Sequence, residues 1–142
     1  MLIACPQCNA ANRVPEERLR EQPLCGRCKA SLFAGKPLVL TAANFDAQLS
    51  RGELPVIVDF WAPWCGPCLS MAPNFERAAA EIEPLARLAK LDTEAESTVA
   101  ARFNIRSIPT LIAFRAGREM ARQSGAMPLS TLLQWIRTAI RS

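Results

Sequence analysis

The spacing of apolar residues changes character at about residue 37. Beyond that point, Leu38–Val39–Leu40 reads as a short strand. Thr41 stands as N-cap to a helix that carries Asn44, Phe45 and Leu49 and stops near Gly52. Pro55 opens the run Val56–Trp61, whose apolar character predicts a buried strand. A helix follows from about Cys65 to Glu83. Pro73 lies inside it, where a proline removes one backbone hydrogen bond and predicts a kink, and Pro84 ends it. Leu85–Leu91 is a further strand and Ala95–Phe103 a further helix. Thr110–Phe114, a turn at Ala116–Gly117 and Glu119–Ser124 together predict a hairpin. Pro128 opens a last helix with an apolar stripe at Leu129, Leu132, Leu133, Ile136 and Ile140, and with Trp135 at its edge; stripe and Trp135 both read as core packing. The order β-α-β-α-β-α-β-β-α implies an α/β fold, a mixed central sheet flanked by helices on both faces.

Residues 1–36 lack such periodicity and hold few large apolar side chains. They do hold Cys5-Pro-Gln-Cys8 and Cys25-Gly-Arg-Cys28, with 16 residues between the pairs. This spacing matches a four-thiolate zinc pattern, in which each C-x₂-C turn brings two sulfurs to one side. A segment this small needs a staple, and a metal supplies one. Two redox-active pairs, or four unconnected thiols, are the competing reading. Ala34–Pro37 reads as a polar joint. The expected domains are a zinc-binding ribbon over 1–36 and an α/β domain over 37–142.

Composition narrows the function classes. The chain has 142 residues, half of them apolar, and a formal charge of +4. The first 36 residues carry six Lys/Arg and three Glu, and the remainder eleven Lys/Arg and ten Asp/Glu. Neither balance is the footprint of nucleic-acid binding. No apolar run approaches the ~20 residues that cross a bilayer, and the N-terminus lacks the pattern of a signal peptide. A cytoplasmic protein without membrane partners is expected. In that setting six cysteines point to metal binding or catalysis rather than a disulfide framework.

The remaining pair, Cys65-Gly66-Pro67-Cys68, lies where a strand hands over to a helix. A helix N-terminus presents unpaired N–H groups and partial positive charge, and both favour thiolate over thiol. Cys65 is expected to be the exposed attacking sulfur. Cys68, one turn further in and turned inward, then resolves the mixed disulfide. A third metal knuckle would lack a partner pair. Asp59 interrupts the apolar run before them. Burial would raise its pKa towards the range of a general base for Cys68, although a structural carboxylate, or one facing solvent, fits the sequence equally well. Lys90 interrupts another strand and is a candidate partner for Asp59. Trp61 reads as core, and Trp64 as a surface residue against which partners dock. Pro109 opens a strand, and a trans Ile108–Pro109 bond is the default expectation.

At Asp59-Phe-Trp-Ala-Pro-Trp-Cys-Gly-Pro-Cys68 the chain resembles thioredoxin. Further matches follow in order: Pro73, Lys90-Leu-Asp92, Phe103 to Thr110, Gly117 and Gly125-Ala126. The likeness covers about 38–140. With the four N-terminal cysteines it narrows to the zinc-binding bacterial subclass called thioredoxin 2. The resemblance implies a protein-disulfide reductase with Cys65 as nucleophile and Cys68 as resolving thiol. Asp59 would assist Cys68, with Lys90 nearby. It implies a cis bond before Pro109, and a docking surface from Trp64, Gly66, Pro67, Ile108, Pro109, Gly125 and Ala126. It implies one zinc on Cys5, Cys8, Cys25 and Cys28, structural or redox-sensing, and no organic cofactor of its own. Client disulfide proteins and an NADPH- and FAD-dependent thioredoxin reductase would be the partners. Leu69 departs from the family, which usually has a basic residue there. The rival function is a zinc-dependent binding or chaperone module on a thioredoxin scaffold.

Overall fold

The computed structural model describes residues 1–141; Ser142, the last residue of the expected second domain, lies outside the described residues. A hairpin of β1 (Leu2–Ala4) and β2 (Ala11–Arg13) starts the chain, and a 3-10 turn at Glu16–Arg18 follows. Then come β3 (Leu38–Val39), α1 (Phe45–Ser50), β4 (Val56–Trp61), α2 (Gly66–Ile82), β5 (Arg87–Asp92), α3 (Ser97–Ala101), β6 (Thr110–Arg115), β7 (Arg118–Ser124) and α4 (Leu129–Ala139).

The second part is a five-stranded sheet in the order β3-β5-β4-β6-β7. β3, β5 and β4 run parallel, and β6 and β7 antiparallel to their neighbours. The mixed sheet and the element order match the expectation. Strand alternation splits the core in two. Ile57, Leu88, Leu111 and Ala113 face α2 and α4, packing on Met71, Phe75, Leu132 and Ile136. Val58, Phe60, Leu91 and Ile112 face α1 and α3, packing on Phe45, Leu49 and Val99. Leu129, Trp135 and Ile140 are only partly buried, at the margin of the α4 stripe.

Element ends differ from the sequence reading where side chains took the backbone's hydrogen bonds. Thr41 does not cap α1. Its amide donates to Asn44 Oδ1 (2.7 Å) and its hydroxyl accepts from Ala43 N, so Thr41–Asn44 is a turn and the helix starts at Phe45. α3 is shorter than Ala95–Phe103, because Asp92 Oδ1 accepts from the amides of Glu94 and Ala95 and holds them in a turn. β5 begins at Arg87, since Leu85 N still bonds Ile82 O and leaves Leu85 exposed. α2 continues through Pro73, the position at which a kink was expected. Ala116 and Gly117 both have positive φ, as a tight hairpin turn requires.

The first 36 residues have their own small core of Ile3, Cys5, Val14, Cys25 and Leu32, and Leu54 from the second part joins it. Ala34–Pro37 is not a free joint. Gly35 N donates to Glu83 Oε1 (2.8 Å), and Phe33 lies against the Arg87 guanidinium. Arg87 pairs with Glu83 at 3.3 Å and donates to Ala4 O at 3.0 Å. Gln48 donates to Cys5 O and Asn9 Oδ1, and Arg51 to Asn9 O. A Cβ on Gly52 would lie 3.1 Å from Ala4 N, so glycine permits this close approach. All these contacts come from the start of β4 and β5, the end of α1 and the end of α2. The four-cysteine segment therefore sits at the end of the sheet opposite Cys65.

Candidate active site and four-cysteine cluster

β4 ends at Trp61, and the chain turns through Ala62–Trp64 into α2. Cys65 is the N-cap of that helix and Pro67 lies in its first turn, where its missing N–H costs nothing. Cys65 Sγ accepts from the Cys68 amide at 3.2 Å and is disulfide-bonded to Cys68. It also lies 3.7 Å from the carbonyl oxygen of Ile108. In this oxidised state the expected exposure of Cys65 is not seen: it is 5% exposed and Cys68 2%. The bond draws Sγ inward, and Trp61, Ala62 and Ile108 pack around the pair.

Trp64, in contrast, is 70% exposed, and Gly66 and Pro67 are exposed beside it. Ile108 is half-buried and Pro109 buried, and the bond between them is cis, as the resemblance implied and against the default expectation. Gly125 N donates to Pro109 O at 2.9 Å, which brings the exposed Gly125–Ala126 corner beside the 107–109 loop. The candidate docking residues thus come together around the disulfide from three separate stretches.

Asp59 shares its strand face with Ile57, which packs on α2, so its carboxyl lies on the side of the sheet that carries Cys68. It is 1% exposed, and its Oδ1 has no hydrogen-bond partner. Burial pushes its pKa up to about 7, opposed by the charge of Lys90. Lys90 is the in-register neighbour of Asp59 across β4 and β5. The two do not close an ion pair among the described residues. Lys90 Nζ sits 4.4 Å from the centre of the Trp61 ring, a cation–π contact. Trp61 is accordingly half-buried at the sheet end rather than a core residue.

The sulfurs of Cys5, Cys8, Cys25 and Cys28 all lie within 4.8 Å of one another. The Cys5–Cys28 and Cys8–Cys25 separations are 3.6 and 3.7 Å. Zinc held about 2.3 Å from each sulfur sets tetrahedral edges of about 3.8 Å, so the cluster fits that ion. Amides of the knuckle turns point at sulfur: Gln7 N at Cys5, and Arg27 N and Cys28 N at Cys25. The Cys28 amide, the Asn12 side chain and the Arg27 amide lower the Cys25 pKa to about 6, whereas burial raises Cys5 to about 12. Asn12 Oδ1 also accepts from Gly26 N, clamping the second turn. The sequence reading missed Asn12 and the anchors Gln48, Arg51, Glu83 and Arg87. Only Arg87, a charge inside a strand run, carried a signal.

A family model described as Thioredoxin matches residues 36–138. The chain belongs to the thioredoxin family. A second model, "Thioredoxin 2, N-terminal", matches residues 4–30 and covers all four clustered cysteines. Thioredoxin C-3 of Corynebacterium nephridii is 46% identical over 136 residues, covering 96% of this chain and 93% of that protein. The thioredoxin of Pyropia yezoensis is 45% identical over 93 residues, 66% of this chain and 87% of its own length. The chain is thus a thioredoxin-family protein-disulfide reductase with an N-terminal four-cysteine ribbon of the zinc type.

Proposed function

We propose that reduced Cys65 attacks a client disulfide as thiolate, forming a mixed disulfide and expelling the first client sulfur as a thiolate. Cys68, as thiolate, then attacks Cys65 Sγ. The Cys65–Cys68 disulfide forms and the second client sulfur leaves. The dithiol has lost two electrons and two protons, and the client has gained both. Asp59 accepts the Cys68 proton. A buried carboxyl with a pKa of about 7 and an unpartnered oxygen on the α2 side of the sheet supports that role. Lys90 tempers that pKa from the neighbouring strand. The client segment lies along Ile108–Pro109, between Trp64–Gly66–Pro67 and Gly125–Ala126. A thioredoxin reductase using NADPH and FAD returns the electrons.

Cys5, Cys8, Cys25 and Cys28 hold one zinc ion, which ties residues 1–36 into a domain that ends at Lys36. Thiolate-bound zinc beside a reducing dithiol suits the cytoplasm. The observation that carries the reading is the disulfide at the N-terminus of α2, with Asp59 buried on the same side of the sheet. Replacing Cys65 by Ser is expected to lower insulin-disulfide reduction by roughly a thousandfold or more. Full turnover by Cys65→Ser would refute the reading and favour a zinc-dependent binding module on a thioredoxin scaffold.

A further inference from the structure

Two of the large apolar side chains that face solvent, Trp64 at 70% and Leu69 at 51%, flank the disulfide. Leu69 stands four residues after Cys65, and its amide donates to Cys65 O at 3.1 Å. Residues four apart on a helix lie on one flank, about 6 Å along the axis. Leu69 is therefore one turn below the attacking sulfur on the same side of α2. Ala72 continues that flank, and exposed Pro73 borders it. From Trp64 the first charged residue along α2 is Glu76, more than two turns beyond Leu69's neighbour Cys68. This flank of α2 is thus apolar and uncharged up to Glu76, and it begins at the sulfur that a client must reach to be reduced.

Leu69 lies outside the core face of α2, which is formed by Cys68, Met71, Phe75, Ala78, Ala79 and Ile82. Leu69 is within one helical turn of the sulfur to which a client half-cystine becomes joined, at the margin of the segment that lies along Ile108–Pro109. We propose that Leu69 is a specificity-determining residue, which forms an apolar subsite for the client side chain flanking the attacked half-cystine. The preferred clients expose a disulfide next to a bulky aliphatic or aromatic residue, as partly unfolded proteins do. A charged or small polar neighbour gains nothing there, because Leu69 offers neither a counter-charge nor a hydrogen bond. The proposal rests on the reading of Cys65 as the attacking thiol.

The test uses the full chain reduced chemically, so that no reductase contributes. Two cyclic disulfide peptides identical except for Leu or Ser beside one half-cystine are reacted with it under saturating and sub-saturating conditions. The native protein is expected to favour the Leu peptide by about fivefold at low concentration. Leu69→Ser should remove that preference by raising the half-saturating concentration of the Leu peptide, with its limiting rate and the Ser peptide's rate unchanged. Leu69→Met should keep the preference. Equal slowing of both peptides by Leu69→Ser, or no change in the ratio, overturns the subsite. A native protein that reduces neither peptide, or a Cys65→Ser variant as fast as the native one, overturns instead the reading of Cys65 on which the subsite rests.

Discussion

Asp59 shows how much one buried oxygen can do. Its folded-state pKa of about 7 lies above its ordinary value because burial penalises the charge more than Lys90 offsets it. The folded protein therefore binds a proton that the unfolded chain has already released between about pH 4 and pH 7. Stability attributable to this group is fully present below that window. It is lost as pH rises through it, leaving an unpaired carboxylate inside the protein. Asp59→Asn is expected to raise unfolding free energy at pH 8 by a few kcal/mol, up to roughly 4. The gain should vanish near pH 4, and urea titrations at the two pH values check it. Under the proposed role of Asp59 as acceptor of the Cys68 proton, the same variant should slow disulfide reduction above pH 7, where the native carboxylate is ionised. In the proposed mechanism this lost stability is traded for a proton acceptor beside the dithiol, as expected of a functional site.

Elements decide how the ribbon is held. Its first cysteine turn is gripped from the sheet side by Gln48 and Arg51 of the α1 end and by Arg87 of β5, all through backbone carbonyls or Asn9. The second turn, Cys25–Cys28, has Asn12 and its sulfur neighbours. The Glu83–Arg87 pair under the ribbon has side chains only 5% and 6% exposed, respectively. Burial pushes Glu83 up and Arg87 down, and each opposes that shift in the other. Removing one partner leaves a buried charge alone. Arg87→Met is expected to cost about 3–5 kcal/mol in urea unfolding, and Glu83→Gln combined with Arg87→Met should recover much of that loss.

At the scale of the molecule, the two sulfur sites are separate. α2 has 17 residues, about 25 Å, and runs from the disulfide at one end of the sheet to Glu83 beneath the ribbon at the other. Sulfurs of the ribbon cannot exchange with Cys65 inside one molecule without unfolding. The zinc proposed for the ribbon would then act on the ribbon's stability rather than on the dithiol. Metal removal by a strong chelator is expected to lower amide-exchange protection of residues 24–32 by roughly a hundredfold or more, because zinc supplies folding free energy to so small a core. Protection in β4, β5 and β6 should change little, and exchange followed by mass spectrometry reads both regions at once. Loss of protection in the central strands as well would show that the ribbon props up the whole sheet.

Local patterns in the sequence determined much of this. Period-two and period-3.6 spacing set the element order, and C-x₂-C turns set the two sulfur groups, because both depend on residues near one another in the chain. The pattern also marked Asp59 and Lys90 as charges among apolar neighbours, since burial of a charge is costly wherever it occurs. Tertiary structure alone decided what those charges meet. Lys90 turns to Trp61 and leaves Asp59 Oδ1 without a partner, which no spacing rule encodes. It alone brought Ile108–Pro109 and Gly125 to the disulfide, and it alone docked residues 1–36 on Gln48, Arg51 and Arg87. These contacts join residues tens of positions apart. The chain's local chemistry leaves such pairings open until the packed sheet brings them within hydrogen-bond reach.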